Sequence, residues 1–97
     1  MKKAKSISPA NKISITSDTI SRTVQGEEVI LNLRTGMYFG LNPTGTQIWS
    51  LLKGGLSLVE VSNKLTEEYG IPLRRAQKDV MNLVQLTAKK GLVEAKR

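Results

Sequence analysis

The sequence contains no cysteine and no histidine. Disulfides, thiolate or imidazole metal sites and the commonest nucleophile–base pairs are therefore excluded. Acidic residues are few: eight, adjacent only at Glu27-Glu28 and Glu67-Glu68, so a carboxylate metal site has no cluster to build on. No glycines have the G-x-x-x-x-G-K-[ST] spacing of a phosphate loop. Serines and threonines are plentiful, but no histidine activates them, and no lysine or aspartate groups with one as a base. No apolar run approaches the roughly 20 residues of a membrane span. The N-terminal lysines are not followed by the apolar stretch of a secretion signal. These absences lead us to expect a non-catalytic chain with no metal, no cofactor and no membrane partner, in the cytoplasm. The 97 residues allow one domain with one modest core.

The net charge of +7 raises the question of a nucleic-acid partner, and its placement answers against one. Lys2, Lys3, Lys5, Lys12, Lys96 and Arg97 lie at the two ends. Without these six, nine basic residues face eight acidic ones. A duplex-binding domain concentrates its charge on the folded face. Residues 1–12, rich in Lys, Ser, Asn and Ala without periodicity, read as a disordered basic arm. Residues 13–97 read as the domain, with Ile13 and Ile15 opening its first ordered segment.

From residue 18 to 41 the pattern is that of strands. Residues 19–24 form one, Gln25-Gly26 a turn, and residues 28–33 a second. In the second, Val29, Leu31 and Leu33 share one face, while Glu28, Ile30 and Asn32 take the other. Arg34-Thr35-Gly36 makes a short loop, with Gly36 at positive φ. Residues 37–41 form the third strand of an antiparallel meander, with Met37, Phe39 and Leu41 on one face and Tyr38 and Gly40 on the other.

From Asn42 the period is helical. Asn42 is an N-cap, Pro43 suits the first helical position, and Gly54-Gly55 ends the helix. Ser57 and Glu60 form a capping box for the second helix, which Gly70 closes. Pro72 begins a third, which runs to about Lys90 with Ala76, Val80, Leu83, Val84 and Thr87 on its buried stripe. Leu92-Val93 can return to pair with or cover the sheet. The expected fold class is α+β: a winged helix-turn-helix in which a three-stranded antiparallel sheet is followed by three helices that cover its apolar face.

Two surfaces are open to a ligand. The third strand lies at a sheet edge, whose free backbone groups can accept an extended peptide. Gly40 either clears that path or permits close approach of a neighbouring backbone. On the third helix, Arg75, Asp79, Asn82 and Leu86 flank the buried stripe at helical spacing, as a binding margin or as core periphery. Trp49, among Ile48, Leu51 and Leu52, reads as core; Tyr38 is open to either reading.

The run from Gly36 to Asn42 (Gly-Met-Tyr-Phe-Gly-Leu-Asn), then Gly45, Ile48-Trp49, Leu51-Leu52, Glu68-Tyr69, Ala76, Asp79-Val80 and Gly91-Leu92-Val93, resembles PqqD-like proteins over residues 18–94. The resemblance implies a recognition element that binds the leader of a ribosomally made precursor peptide, adding it as a strand to the third β-strand in a groove against the third helix. It places the site on Met37, Tyr38, Phe39, Gly40 and Leu41 with Arg75, Asp79, Asn82 and Leu86. A free-standing copy is similar to those of lasso-peptide pathways, which deliver the precursor to a separate leader protease. A radical enzyme using S-adenosylmethionine is the other common maturation partner. Two residues depart from the pattern: Thr87 replaces a larger apolar residue and implies a looser core, and Pro72 replaces an acidic N-cap. Two rivals stand beside this reading. One is a DNA-binding winged helix using Arg74, Arg75, Lys78, Lys89 and Lys90. The other is a homodimer paired through the exposed strand.

Overall fold

The computed structural model describes residues 7–96. Its elements are β1 (Lys12–Ile15), β2 (Thr19–Val24), β3 (Glu27–Asn32), β4 (Tyr38–Gly40), α1 (Pro43–Lys53), α2 (Leu58–Tyr69), α3 (Leu73–Lys89) and β5 (Val93–Lys96). The class is α+β, as expected, with one addition. β2, β3 and β4 form the antiparallel meander, and β1 and β5 form a second, two-stranded sheet. Leu92-Val93 thus returns to pair, but with Ile15 and its neighbours rather than with the meander.

Local chemistry sets the turns and helix ends. Gln25 and Gly26 both have positive φ, the geometry that matches the twist of a two-residue hairpin. The Asn42 side chain accepts the Gly45 N–H at 2.7 Å and starts α1. Ser57 and Glu60 cap each other's backbone at the start of α2, and Gly70 ends it at φ 69°. α3 starts at Pro72 with no side-chain cap, as its sequence implies. Thr87 is buried, and its hydroxyl is satisfied by the Leu83 and Val84 carbonyls at 2.8 and 3.1 Å. The smaller, polar residue therefore leaves no unpaired group in the core.

Residues 8–11, read above as part of a disordered arm, are seated on the domain. The Asn11 and Pro9 carbonyls accept the Leu58 and Val59 N–H groups at 3.0 and 2.9 Å. These are first-turn amides of α2, which have no partner within the helix. Ile7 packs against the core and Lys12 opens β1, so of the arm reading only residues 1–6 lie outside the described residues.

The core joins Ile13, Ile30, Leu41, Ile48, Trp49, Leu52, Leu58, Val61, Leu65, Ala76, Val80, Val84, Leu92 and Val93. It also corrects the face of the sheet. The helices cover the side carrying Glu28, Ile30 and Asn32, all buried, and not the more apolar side. Leu33 is 56% and Ile20 51% exposed, and Val29 and Leu31 are half-buried. The register pairs Ile30 with Phe39 and Ser21, so the inner face centres on one isoleucine flanked by polar groups. Those groups are tolerated inside because each finds partners. The Asn32 amide accepts the Arg34 N–H at 2.9 Å and donates to the Lys90 carbonyl at 3.4 Å.

Glu28, 6% exposed, anchors α1. Its carboxylate accepts the Thr23 hydroxyl at 2.8 Å and lies 3.8 Å from the Lys53 ammonium. Its N–H donates to the Thr46 hydroxyl at 2.9 Å. Trp49 Nε1 donates to Ser21 Oγ at 3.2 Å. Thr46, Trp49 and Lys53 share one face of α1 and fasten it to β2 and β3. Burial pushes the Glu28 carboxyl up, but hydrogen bonds from Thr23 and Ser21 and the charge of Lys53 hold it, on balance, below its ordinary 4.5. A depressed folded value stabilises the native state above the unfolded value and is lost as pH falls through the folded one. Melting followed from about pH 6 to pH 3 is therefore expected to show a steeper acid loss for the parent than for Glu28→Gln. Identical acid limbs would remove Glu28 from the account.

Candidate peptide-binding groove

β4 is an edge strand, and its pairing register decides which of its groups are free. Asn32 N–H donates to the Met37 carbonyl at 2.9 Å, and Leu41 N–H to the Glu28 carbonyl at 2.9 Å. Hydrogen-bonded pairs alternate along an antiparallel ladder. Met37, Phe39 and Leu41 therefore turn their backbone groups toward β3, while Tyr38 and Gly40 turn theirs outward. Among the described residues no strand pairs with that outer edge. It offers two N–H donors and two carbonyl acceptors at the spacing an added strand needs. Among the described residues nothing lies within 4 Å of where a Gly40 side chain would stand, so close approach of one of their backbones is not the reason for glycine there.

Beyond Gly40 the chain turns into α1, whose first turns face α3 across an open cavity of about 340 Å³. Asn42, Thr44, Gly45 and Ile48 form one wall, and Arg75, Asp79, Asn82, Leu83 and Leu86 the other. Leu86 is half exposed and supplies apolar surface. The Arg75 guanidinium lies 3.9 Å from the Asp79 carboxylate, one helical turn on, so this end of the groove carries a balanced pair. At the opposite end, beside Phe39, the Lys90 ammonium stands 5.0 Å from the ring centroid, within cation–π range. Edge and cavity together make a groove with a hydrogen-bonding rail on one side and a helix on the other. It holds no cluster of three metal-ligating residues among the described residues.

A family model described as coenzyme PQQ synthesis protein D (PqqD) matches residues 27–93. The chain belongs to the PqqD family. The match runs from β3 to the start of β5, so this PqqD-family chain carries β1 and β2 outside it. Two solved structures are similar. One is TbiB1 in complex with the TbiA(beta) leader peptide, at 32% identity and a TM-score of 0.78, over 86% of this chain and 96% of that one. The other is lasso peptide synthetase B1 complexed with the leader peptide, at 27% identity and a TM-score of 0.78, over 84% and 96%. No curated protein matches the sequence.

In this PqqD-family chain the site residues read from the sequence fall into three groups. Arg75, Asp79, Asn82 and Leu86 come together on one cavity wall. Tyr38, 72% exposed, and Gly40 present the free edge. Met37 is exposed, Phe39 is half-buried beneath Lys90, and Leu41 is buried. The Leu41 N–H is taken by Glu28, and its carbonyl faces the Thr46 hydroxyl at 3.4 Å. Leu41 is thus a buried residue at the end of the strand, its N–H already paired within the sheet. The opposite wall, Asn42, Thr44, Gly45 and Ile48, escapes a reading from spacing: capping accounts for Asn42 and core packing for Ile48, and Thr44 and Gly45 carry no pattern of their own. The signal was there: Asn42, Gly45 and Ile48 all stand in the run that carries the family resemblance.

Proposed function

We propose that this chain binds the leader segment of a ribosomally synthesised precursor peptide without performing chemistry on it. The leader adds as a strand to β4, and the bound precursor is presented to a separate maturation enzyme. The observation that carries this reading is the outward-facing backbone of Tyr38 and Gly40, on a strand that continues within two residues to Asn42 on the wall of the α1–α3 cavity. The leader peptides in the two similar complexes support it, and the lasso peptide synthetase B1 among them favours a lasso-peptide pathway; a leader protease is the partner that the family resemblance implies. A disordered leader pays an ordering cost on binding, offset by backbone pairing and a few buried apolar side chains. Contact with both leader and enzyme raises the effective concentration of the core peptide at the enzyme's active site. No finding favours the duplex-binding rival.

Calorimetric titration with a synthetic leader peptide, beginning with the TbiA(beta) leader bound in the similar complex, tests this. Leu86→Ala is expected to weaken binding about tenfold, the loss of roughly 1–2 kcal/mol from a half-exposed apolar contact. Tyr38→Ala, which removes only a cross-strand neighbour, is expected to weaken it about two- to fivefold. Parent-like affinity in both variants, each shown to be folded, would place the site elsewhere. The same free edge is open to a second copy of the chain. Light scattering with and without leader separates a strand-paired dimer from peptide capture.

A further inference from the structure

The two ends of the groove differ in charge. At the cavity end, Arg75 is matched by Asp79. At the other end, Lys90 lies over Phe39, and Lys89 precedes it in the last turn of α3. A Cβ added at Gly91 would lie 3.9 Å from Arg34 Nη2, so the guanidinium is beside Gly91. The β3–β4 loop is tied to this helix end through the Asn32–Lys90 hydrogen bond, which brings Arg34 and Lys90 to one mouth. Among the described residues no carboxylate pairs with Lys90, and Arg34 has only Asp18, at 4.0 Å with both side chains largely exposed. Lys90 and Arg34 together outweigh the partial negative charge of the α3 C-terminus and that single aspartate.

Strand polarity converts this asymmetry into a statement about the ligand. The sheet is antiparallel throughout, and antiparallel pairing is the more stable per residue. β4 runs from the Lys90 end toward the cavity, so an added antiparallel strand enters at the cavity and leaves past Tyr38 and Lys90. The residues that follow the paired stretch therefore cross the basic mouth.

Resting on the groove described above, we propose that Lys90, with Arg34, selects peptides that carry an acidic residue just downstream of the strand-paired segment. Lys90 is then a specificity-determining residue. The aromatic face of Phe39 holds its ammonium over the exit path, so the pair forms with less loss of side-chain freedom than between two mobile surface chains.

The probe is a yeast-displayed library of random 15-residue peptides, selected in parallel against the parent, Lys90→Glu and Gly40→Pro. The expected result is enrichment of an apolar strand followed at fixed distance by Asp or Glu. Selection on Lys90→Glu should replace that acid by Lys or Arg, and Gly40→Pro should enrich neither. With a resynthesised acidic peptide, Lys90→Glu should weaken binding about tenfold, as attraction becomes repulsion, and an acid-to-Lys peptide should restore it. Lys90→Ala should give an intermediate loss, with no new charge introduced. Peptides that depend on Gly40 but show no acidic position, or one unmoved by Lys90→Glu, overturn the charge proposal and leave the groove intact. Enrichment that is indifferent to Gly40, or none on the folded parent, overturns the groove and this proposal with it.

Discussion

A Gly40→Pro variant is expected to fold like the parent and to lose leader binding about 100-fold. The Gly40 N–H points away from β3, so its removal breaks no hydrogen bond within the sheet. A side chain at this position meets nothing within 4 Å, and proline is tolerated on edge strands when the lost N–H faces solvent. What it removes is a donor to the incoming strand, and the ring blocks close approach of that strand. One backbone bond and part of the next amount to about 2–3 kcal/mol. Phe39→Pro is the control. Its N–H belongs to the pair with Ile30, so that variant is expected to damage the sheet itself. Circular dichroism and calorimetry on the two variants distinguish the cases. Undiminished affinity in a folded Gly40→Pro would rule out strand addition at β4.

Trp49→Ala is expected to give the largest loss of stability. Trp49 is 1% exposed, packs in the core cluster, and is tied to β2 through Ser21. Truncation of a buried aromatic costs about 3–5 kcal/mol, a large part of the total stability of a domain this small. The midpoint of thermal unfolding should fall by about 20 °C or more. Trp49→Phe should fall by much less, since most of the volume remains and only the indole hydrogen bond is lost. A Trp49→Ala protein that melts within a few degrees of the parent would mean that α1 is not held to the sheet by this residue.

The parts of the fold legible in the sequence were those set by local chemistry. Asn42, the Ser57–Glu60 box, Gly70 and the Gln25-Gly26 turn act within four residues of themselves, and each stands where it was read. The covered face of the sheet was not legible. Alternation separates Glu28, Ile30 and Asn32 from Val29, Leu31 and Leu33, but it does not say which set faces the helices. The polar set is accommodated inside by side-chain partners distant in sequence, the Lys53 ammonium for Glu28 and the Lys90 carbonyl, 58 residues away, for Asn32. The β1–β5 sheet joins two four-residue strands across nearly the whole chain, and neither carries enough pattern alone. In the groove, helical spacing alone gathered Arg75, Asp79, Asn82 and Leu86. On the facing wall Asn42 and Ile48 already had structural explanations as cap and core, and Thr44 and Gly45 show no spacing that marks a surface.

The pairing of β1 with β5 sets how this domain can be joined to others. Lys12 and Lys96 are register partners, so the first and last strands lie side by side, and no groove residue belongs to either strand. Such a layout makes the domain a cassette. It can be spliced into a surface loop of an enzyme, or appended to either end of one, provided residues 7–11 travel with it. The exposed Gln25-Gly26 hairpin offers a complementary site for new termini, where a circular permutant could open without cutting the rail at β4. Recognition could then be grafted onto a chosen catalyst as a single insert.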